Sequence, residues 1–128
     1  MTEATLFLPG LSPVGGKEIT ATFDGGQLSS DGGVLILREI EKGLGIATIL
    51  GRHVPDGRDQ SRIIHKHTDM IRARMFAIAS GYEDCDDQGA LRIDPAFKIA
   101  CGRQPETGRD LMSQPTQMVL LVKTRQAF

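Results

Sequence analysis

The stretch that most constrains this chain runs over residues 59–80. Ile63, Ile64, His67, Met70, Ile71, Met75, Ile78 and Ala79 recur at the spacing that lines one face of a helix. Asp59 or Ser61 can cap its start, and Gly81 sits where a left-handed C-terminal residue is wanted. The pattern predicts one helix over 59–80, about 30 Å long at about 1.5 Å per residue. An acidic turn at 82–87 follows, then two short helical pieces around 88–92 and 95–101. This region is the expected centre of the fold.

A chain of 128 residues suits one modest domain with a small core. Its formal net charge of -1 gives no global field that would announce a nucleic acid or a membrane. The charge is uneven along the chain, however. Between 52 and 81, Arg52, Arg58, Arg62, Lys66, Arg72 and Arg74 outnumber Asp56, Asp59 and Asp69. Between 82 and 94 the sign reverses, with Glu83, Asp84, Asp86, Asp87 and Asp94 against Arg92. Such blocks serve as solvated faces or capped turns before they serve as tails. Cys85 and Cys101 lie far apart and read as a reduced pair. With no signal-like start and no run of transmembrane length, the expectation is a soluble, cytoplasmic protein with no membrane partner.

Residues 1–17, rich in Gly and Pro and without a helical period, read as a flexible arm. The segment 10–18 superficially resembles a phosphate-binding loop. Its lysine comes one place late, Glu18 replaces the magnesium-binding hydroxyl, and no apolar strand precedes it. Residues 18–23 alternate and suit a short strand with Ile19, Ala21 and Phe23 on one face. A lone strand is unstable, so it needs a partner. Ser30 or Asp31 can cap a helix with Leu35, Ile36, Leu37 and Ile40 inward, ended by Gly43. Gly32 and Gly33 weaken its first turn, which implies either a close helix-to-strand contact or exposed N–H groups for an anion such as a DNA phosphate. A second helix over 44–53 closes at Val54-Pro55-Asp56-Gly57.

The candidate chemical sites weaken on inspection. Asp84, Asp86, Gln88 and Gly89 fall on calcium-loop positions, but the twelfth place, which needs a bidentate glutamate, is Pro95. His65 and His67 are two apart, which points them to different sides of a helix and denies them the spacing of a helical zinc pair. They read as structural. No catalytic triad can be read from spacing.

Several blocks together resemble one family. Ile19-Thr20-Ala21-Thr22-Phe23-Asp24-Gly25-Gly26 and Leu28-Ser29-Ser30-Asp31-Gly32-Gly33 look like the opening of bacterial insertion-sequence transposases of the IS1380 family, in the Asp-Asp-Glu transposase group 1. So do Gly81-Tyr82-Glu83-Asp84 with Asp86-Asp87, and Leu91-Arg92-Ile93-Asp94-Pro95-Ala96-Phe97-Lys98 with Gly102-Arg103. Ser113-Gln114-Pro115-Thr116 matches a further block. Each block is weak alone; their shared order is specific.

The resemblance implies a longer enzyme that cuts and joins DNA with an Asp-Asp-Glu triad on a ribonuclease-H-like core. There, carboxylates hold divalent metal, magnesium being expected, to activate the attacking oxygen and stabilise the leaving one. The first catalytic aspartate would fall beyond the Ser-Gln-Pro-Thr block. None of Asp84, Asp86, Asp87 or Asp94 matches a triad position, so no catalytic residue, metal ligand or cofactor is assigned to this chain. After Thr116 the family continues with a polar segment containing Arg-Leu-Glu-Asn. Here the sequence reads Gln117-Met118-Val119-Leu120-Leu121-Val122-Lys123-Thr124-Arg125-Gln126-Ala127-Phe128, a departure that looks like a frameshift or a truncated element. The apolar run 118–122 suits a strand or a helix end and is sticky if exposed.

The expected fold class is mainly α with a short N-terminal β element, a partial α+β unit leading into a ribonuclease-H-like core that is absent. Its expected parts are a flexible arm (1–17), a helical transposase region (18–116) and a divergent tail (117–128). The expected function is a transposase fragment that is not catalytic alone. Arg58, Arg62, Lys66, Arg72 and Arg74 are its candidate contacts to duplex DNA, by weak, salt-sensitive phosphate binding. Aromatic residues for stacking on single strands are scarce. The alternative is an interaction module that self-associates or interferes with intact transposase through the apolar faces of 34–40 and 63–79, or a remnant without a role.

Overall fold

The computed structural model describes residues 5–22, 24–26 and 28–117. The readings made on Phe23 and on 118–128 lie outside them. The described residues are mainly helical, with one small sheet.

That sheet supplies the partner a lone strand needs. Strand β1 (Thr5–Phe7) pairs antiparallel with β2 (Thr20–Thr22), Thr5 opposite Thr22 and Phe7 opposite Thr20. Between them Val14 and Lys17 exchange backbone bonds of 2.9 and 3.0 Å across Gly15 and Gly16. Both glycines have positive φ, 57° and 78°, the geometry a two-residue hairpin turn requires. Ile19 is buried with Val14 and Leu35 in a small apolar cluster that seats the sheet on the first helix.

Helix α1 (Val34–Leu44) starts later than the capping pattern predicts and has no side-chain cap. The Val34 N–H bonds the Asp31 carbonyl at 3.0 Å, while the Asp31 carboxylate is taken by Tyr82 instead. A Cβ at Gly32 or Gly33 would meet nothing within 4 Å, so the close-contact account of this pair does not hold. The inward face also differs from the expected one. Ile36 and Ile40 are 62% and 51% exposed, whereas Val34, Leu35, Arg38 and Glu41 are buried. Hydrogen bonds, not apolarity, bring the two charged residues in. Arg38 donates to the carbonyls of Ser12 and Pro13 at 2.6 and 3.1 Å. The Glu41 carboxylate accepts from the N–H groups of Ile46 and Ala47 at 3.2 and 2.8 Å, capping α2 (Ile46–His53). The stop is Gly45, at φ 66°, rather than Gly43.

The long helix expected over 59–80 is shorter. Asp59 caps only a single 3-10 turn over Gln60–Arg62, accepting from the Ser61 N–H at 3.0 Å. Ile63 and Lys66 are extended, and α3 covers His67–Ala79, 13 residues or about 20 Å. The break is fixed by His67, whose Nε2 lies 2.7 Å from the Val54 carbonyl and pins the start of α3 to the end of α2. The two helices pack closely: a Cβ at Gly51 would lie 2.8 Å from Thr68 Oγ1. Gly81, at φ 98°, ends α3 as expected, and the Tyr82 N–H reaches back to the Ala77 carbonyl at 2.8 Å.

Short helices α4 (Gln88–Leu91) and α5 (Pro95–Ala100) occupy the expected places. Asp94 caps α5, accepting from the N–H groups of Ala96 and Phe97 at 2.9 and 3.1 Å, with Pro95 at the first turn. α2 packs on α3 and α1 on α5. One apolar cluster joins Val34, Phe76, Ala77, Leu91, Phe97 and Leu111. A second joins Ala47, Met70, Ile71, Ala73 and Met112. Phe97 and Met70 are each 1% exposed, and burying such a side chain contributes about 1.5–3 kcal/mol.

Candidate nucleic-acid interface

The motif blocks, distant in sequence, meet at one place. The Tyr82 hydroxyl donates to Asp31 Oδ2 at 2.7 Å, and the Ser29 hydroxyl donates to Asp94 Oδ1 at 2.9 Å. The Tyr82 ring stands edge-on to Phe97, centroids 6.1 Å apart and planes at 71°. The last block joins from the other side: Gln88 Nε2 donates to the Met112 carbonyl at 2.8 Å, and Gln114 Nε2 to Asp86 Oδ1 at 3.3 Å. These polar atoms are spent on one another. The shared residues build a joint, and its carboxylates are capping and hydrogen-bonding groups.

Metal chemistry has no fit here. Among the described residues no three His, Cys, Asp or Glu side chains converge to hold an ion. Asp84, first in the calcium-like spacing, accepts from the Asp86 N–H at 3.0 Å and shapes a turn. No step involving metal is therefore assigned to these residues.

The five basic candidates divide sharply. Arg58 forms a forked pair with Asp56, at 2.8 and 2.9 Å, with both side chains largely buried. Those bonds hold the Asp56 carboxyl at about 2, against burial that acts the other way. Arg72 pairs with Asp69 at 3.0 Å one turn earlier on α3. Arg74 is turned onto the acidic turn, where its guanidinium donates to the carbonyls of Tyr82, Glu83 and Asp84. It closes the end of α3 as a structural group. Arg62 and Lys66 remain: Arg62 is 87% exposed with only a loose 3.6 Å pair to Asp59, and Lys66 is exposed at the α3 cap. The five do not form one helical face, because α3 starts only at His67 and the short 3-10 turn that holds Arg62 is not continuous with it.

A basic cluster that sequence reading missed lies beside this segment. Arg103 Nη2 sits 3.4 Å from His65 Nδ1. His65 is held below the ordinary histidine range, first by burial and then by the charges of Arg103, Arg109 and Arg58, with Asp69 opposing. Arg103 is steadied by donating to the carbonyls of Arg109 and Asp110, and Arg109 is exposed. The loop that carries them is tied from beneath by Lys98, buried at 4%, whose Nζ donates to the carbonyls of Pro105 and Gly108 at 3.1 and 2.8 Å. The only local signal is that Arg103 ends a motif block. Its meeting with His65, 38 residues away, is a product of the fold.

A cleft of about 270 Å³ adjoins the cluster, lined by Lys42, Thr48, Arg72, Phe76 and Cys101 among others. Burial pushes the Cys101 thiol up to about 12, although Arg103 and Arg72 pull it down. Such a thiol is inert rather than nucleophilic.

The arrangement is that of a small helical domain with exposed cations at Arg62, Lys66 and Arg109. The chain belongs to the transposase DDE domain group 1 family, whose model matches residues 11–126. Neither a curated protein nor a solved structure matches it. The family places the chain in DNA transposition. Among the described residues, no helix is long and apolar enough to cross a membrane.

Proposed function

We infer that this chain is the N-terminal, non-catalytic region of an insertion-sequence transposase of the IS1380 type, and that its part in transposition is to hold duplex DNA by its phosphates. On this reading the carboxylate triad and its metal ions belong to a core outside these residues. The observation that carries the reading is the cationic segment leading into α3. Arg62 and Lys66 stand exposed there with little or no acidic compensation, next to His65 and its arginines. Two or three phosphate contacts from such a segment imply weak binding, with a log–log salt slope of about −2 to −3. A mobility-shift series with duplex ends of the parent element, against random duplex, tests it at rising salt. Binding that weakens along that slope supports the reading, and preference for the ends places recognition in this region. Affinity that is absent at low salt, or flat with salt, removes it.

One observation favours a second reading, in which the chain self-associates or co-assembles with intact transposase. Ile36, Ile40 and Leu44 on α1 and Ile49 on α2 are 62%, 51%, 58% and 48% exposed. A soluble, clean monomer in sedimentation argues against it.

A further inference from the structure

The cluster around His65 is more specific than a cationic surface. We propose that His65, Arg103 and Arg109 form a clamp for one phosphodiester of duplex DNA, and that the clamp closes with uptake of a proton at His65. The proposal rests on the duplex-binding reading above and names the groups that carry it.

The geometry comes from two separate segments. His65 stands at a bend in the link before α3, and Arg103 and Arg109 in the loop after α5. Arg103 Nη2 approaches His65 Nδ1 to 3.4 Å while its Nη1 is committed to the carbonyls of Arg109 and Asp110. The guanidinium is thus held in place before any ligand arrives, which removes most of the ordering cost a free arginine would carry. Among the described residues neither Arg103 nor Arg109 has an acidic ion-pair partner. Of the nearby carboxylates Asp56 is engaged with Arg58, Asp69 with Arg72, and Asp110 with Lys98 and Arg92, while Glu106, exposed in the same loop, has no ion-pair partner among the described residues. Arg103 and Arg109 beside the one uncommitted carboxylate of Glu106 leave an excess of positive charge that attracts an anion, and arginine forks suit phosphate oxygens.

The histidine makes this attraction depend on pH. In the free chain Nδ1 is the acceptor facing Arg103, so the ring is neutral, and burial and three arginines oppose a further positive charge. Asp69 opposes them from α3 but is bonded to Arg72. A phosphodiester laid against Arg103 and Arg109 offsets the arginine field; Nδ1 then gives up the Arg103 Nη2–H it accepts in the free chain, takes a proton from solvent and donates it to a phosphate oxygen, to which the released Nη2–H also turns. Binding and proton uptake favour each other by linkage.

The test uses the full chain and a labelled random duplex at fixed ionic strength, at about pH 5.5 and about pH 8. Wild type should bind up to about tenfold tighter at the lower pH, the range that one unit of pKa change allows. His65→Gln should abolish that dependence. Arg109→Gln, at an exposed position that leaves the loop intact, should weaken binding and lower the salt slope by about 1. Salt-dependent binding by wild type with no pH dependence, or with both variants unchanged, overturns the clamp and leaves the broader reading standing. No duplex binding at low salt at either pH overturns both. Inorganic phosphate, followed by the His65 ring signals in NMR, separates the two sources of phosphate. A response to inorganic phosphate without one to duplex overturns the DNA assignment.

Discussion

The Tyr82 hydroxyl donates to the Asp31 carboxylate at 2.7 Å across 51 residues of chain, and this bond ties the start of α1 to the end of α3. It explains two local features together. Asp31 does not cap α1 because its carboxylate is engaged elsewhere, and the glycines after it stand in open space. The same bond raises the Tyr82 phenol above its ordinary value of 10.0, followed by burial and the charges of Asp31, Asp87 and Asp94. A group whose folded value is raised contributes stability that is fully present below the unfolded value and is lost as pH rises through the folded one. Wild type should therefore lose stability above about pH 10. Tyr82→Phe should start with a lower urea midpoint and lack that alkaline loss. An unchanged midpoint, with the same alkaline limb, would show that the bond is idle.

Lys98 organises the loop that carries the arginine cluster. Its side chain is 5% exposed, and its Nζ serves the carbonyls of Pro105 and Gly108 and stands 3.5 Å from Asp110 Oδ1. Lys98→Met keeps the stem but strands those acceptors, at a cost of about 2–4 kcal/mol. Urea unfolding measures the loss directly. Because the loop sets Arg103, the variant should also weaken duplex binding under conditions where it remains folded.

Gly108 tests the same loop through backbone alone. A Cβ there would collide with the Gln104 carbonyl oxygen and lie 2.8 Å from its nitrogen, so the turn must open to admit alanine. Gly108→Ala should cost about 1–3 kcal/mol, as an overpacked site does. Combined with Lys98→Met it should cost less than the sum, since both act on one turn. A strictly additive double variant would mean that the lysine and the turn are independent.

Legibility in the sequence followed the range of the interaction. The hairpin glycines 15 and 16, the stop at Gly81 and the short helices after the acidic turn depend on neighbouring residues. Gly81 and those helices stand where the local pattern put them. The Asp94-Pro95 cap is equally local, but a count of charge along 82–94 registers Asp94 as an acid and not as a cap. The inward face of α1 departs from its hydropathy pattern because Arg38 and Glu41 are buried by hydrogen bonds, which hydropathy does not register. The long helix failed because periodicity continued through Ile63 and Ile64 while His67 was held by a carbonyl 13 residues away. The contact of His65 with Arg103 has no local trace at all, so the cation cluster appears only in the fold. Periodicity located helical material, and long-range hydrogen bonds decided where it began and which charges stayed free.

The pair of Arg58 and Asp56 shows how a charge can be lost to a nucleic-acid surface, and how it can be recovered. The forked bonds to Arg58 hold the Asp56 carboxyl at about 2, down from 3.8. A depressed carboxyl contributes stability that is present above the unfolded value and is lost as pH falls through the folded one. The window is therefore about pH 4 to about pH 2, and after discounting for solvent screening the contribution is on the order of 1–2 kcal/mol. Asp56→Asn should lower stability by that amount at neutral pH and flatten the acid limb, as urea midpoints across the window will show. It should also release Arg58 toward the phosphate clamp, since Arg58 already acts on His65 from within the cluster. Duplex binding by the Asn variant should then tighten about threefold and its salt slope steepen by up to about 1. Binding that weakens instead would mean Arg58 works only when its carboxylate holds it still.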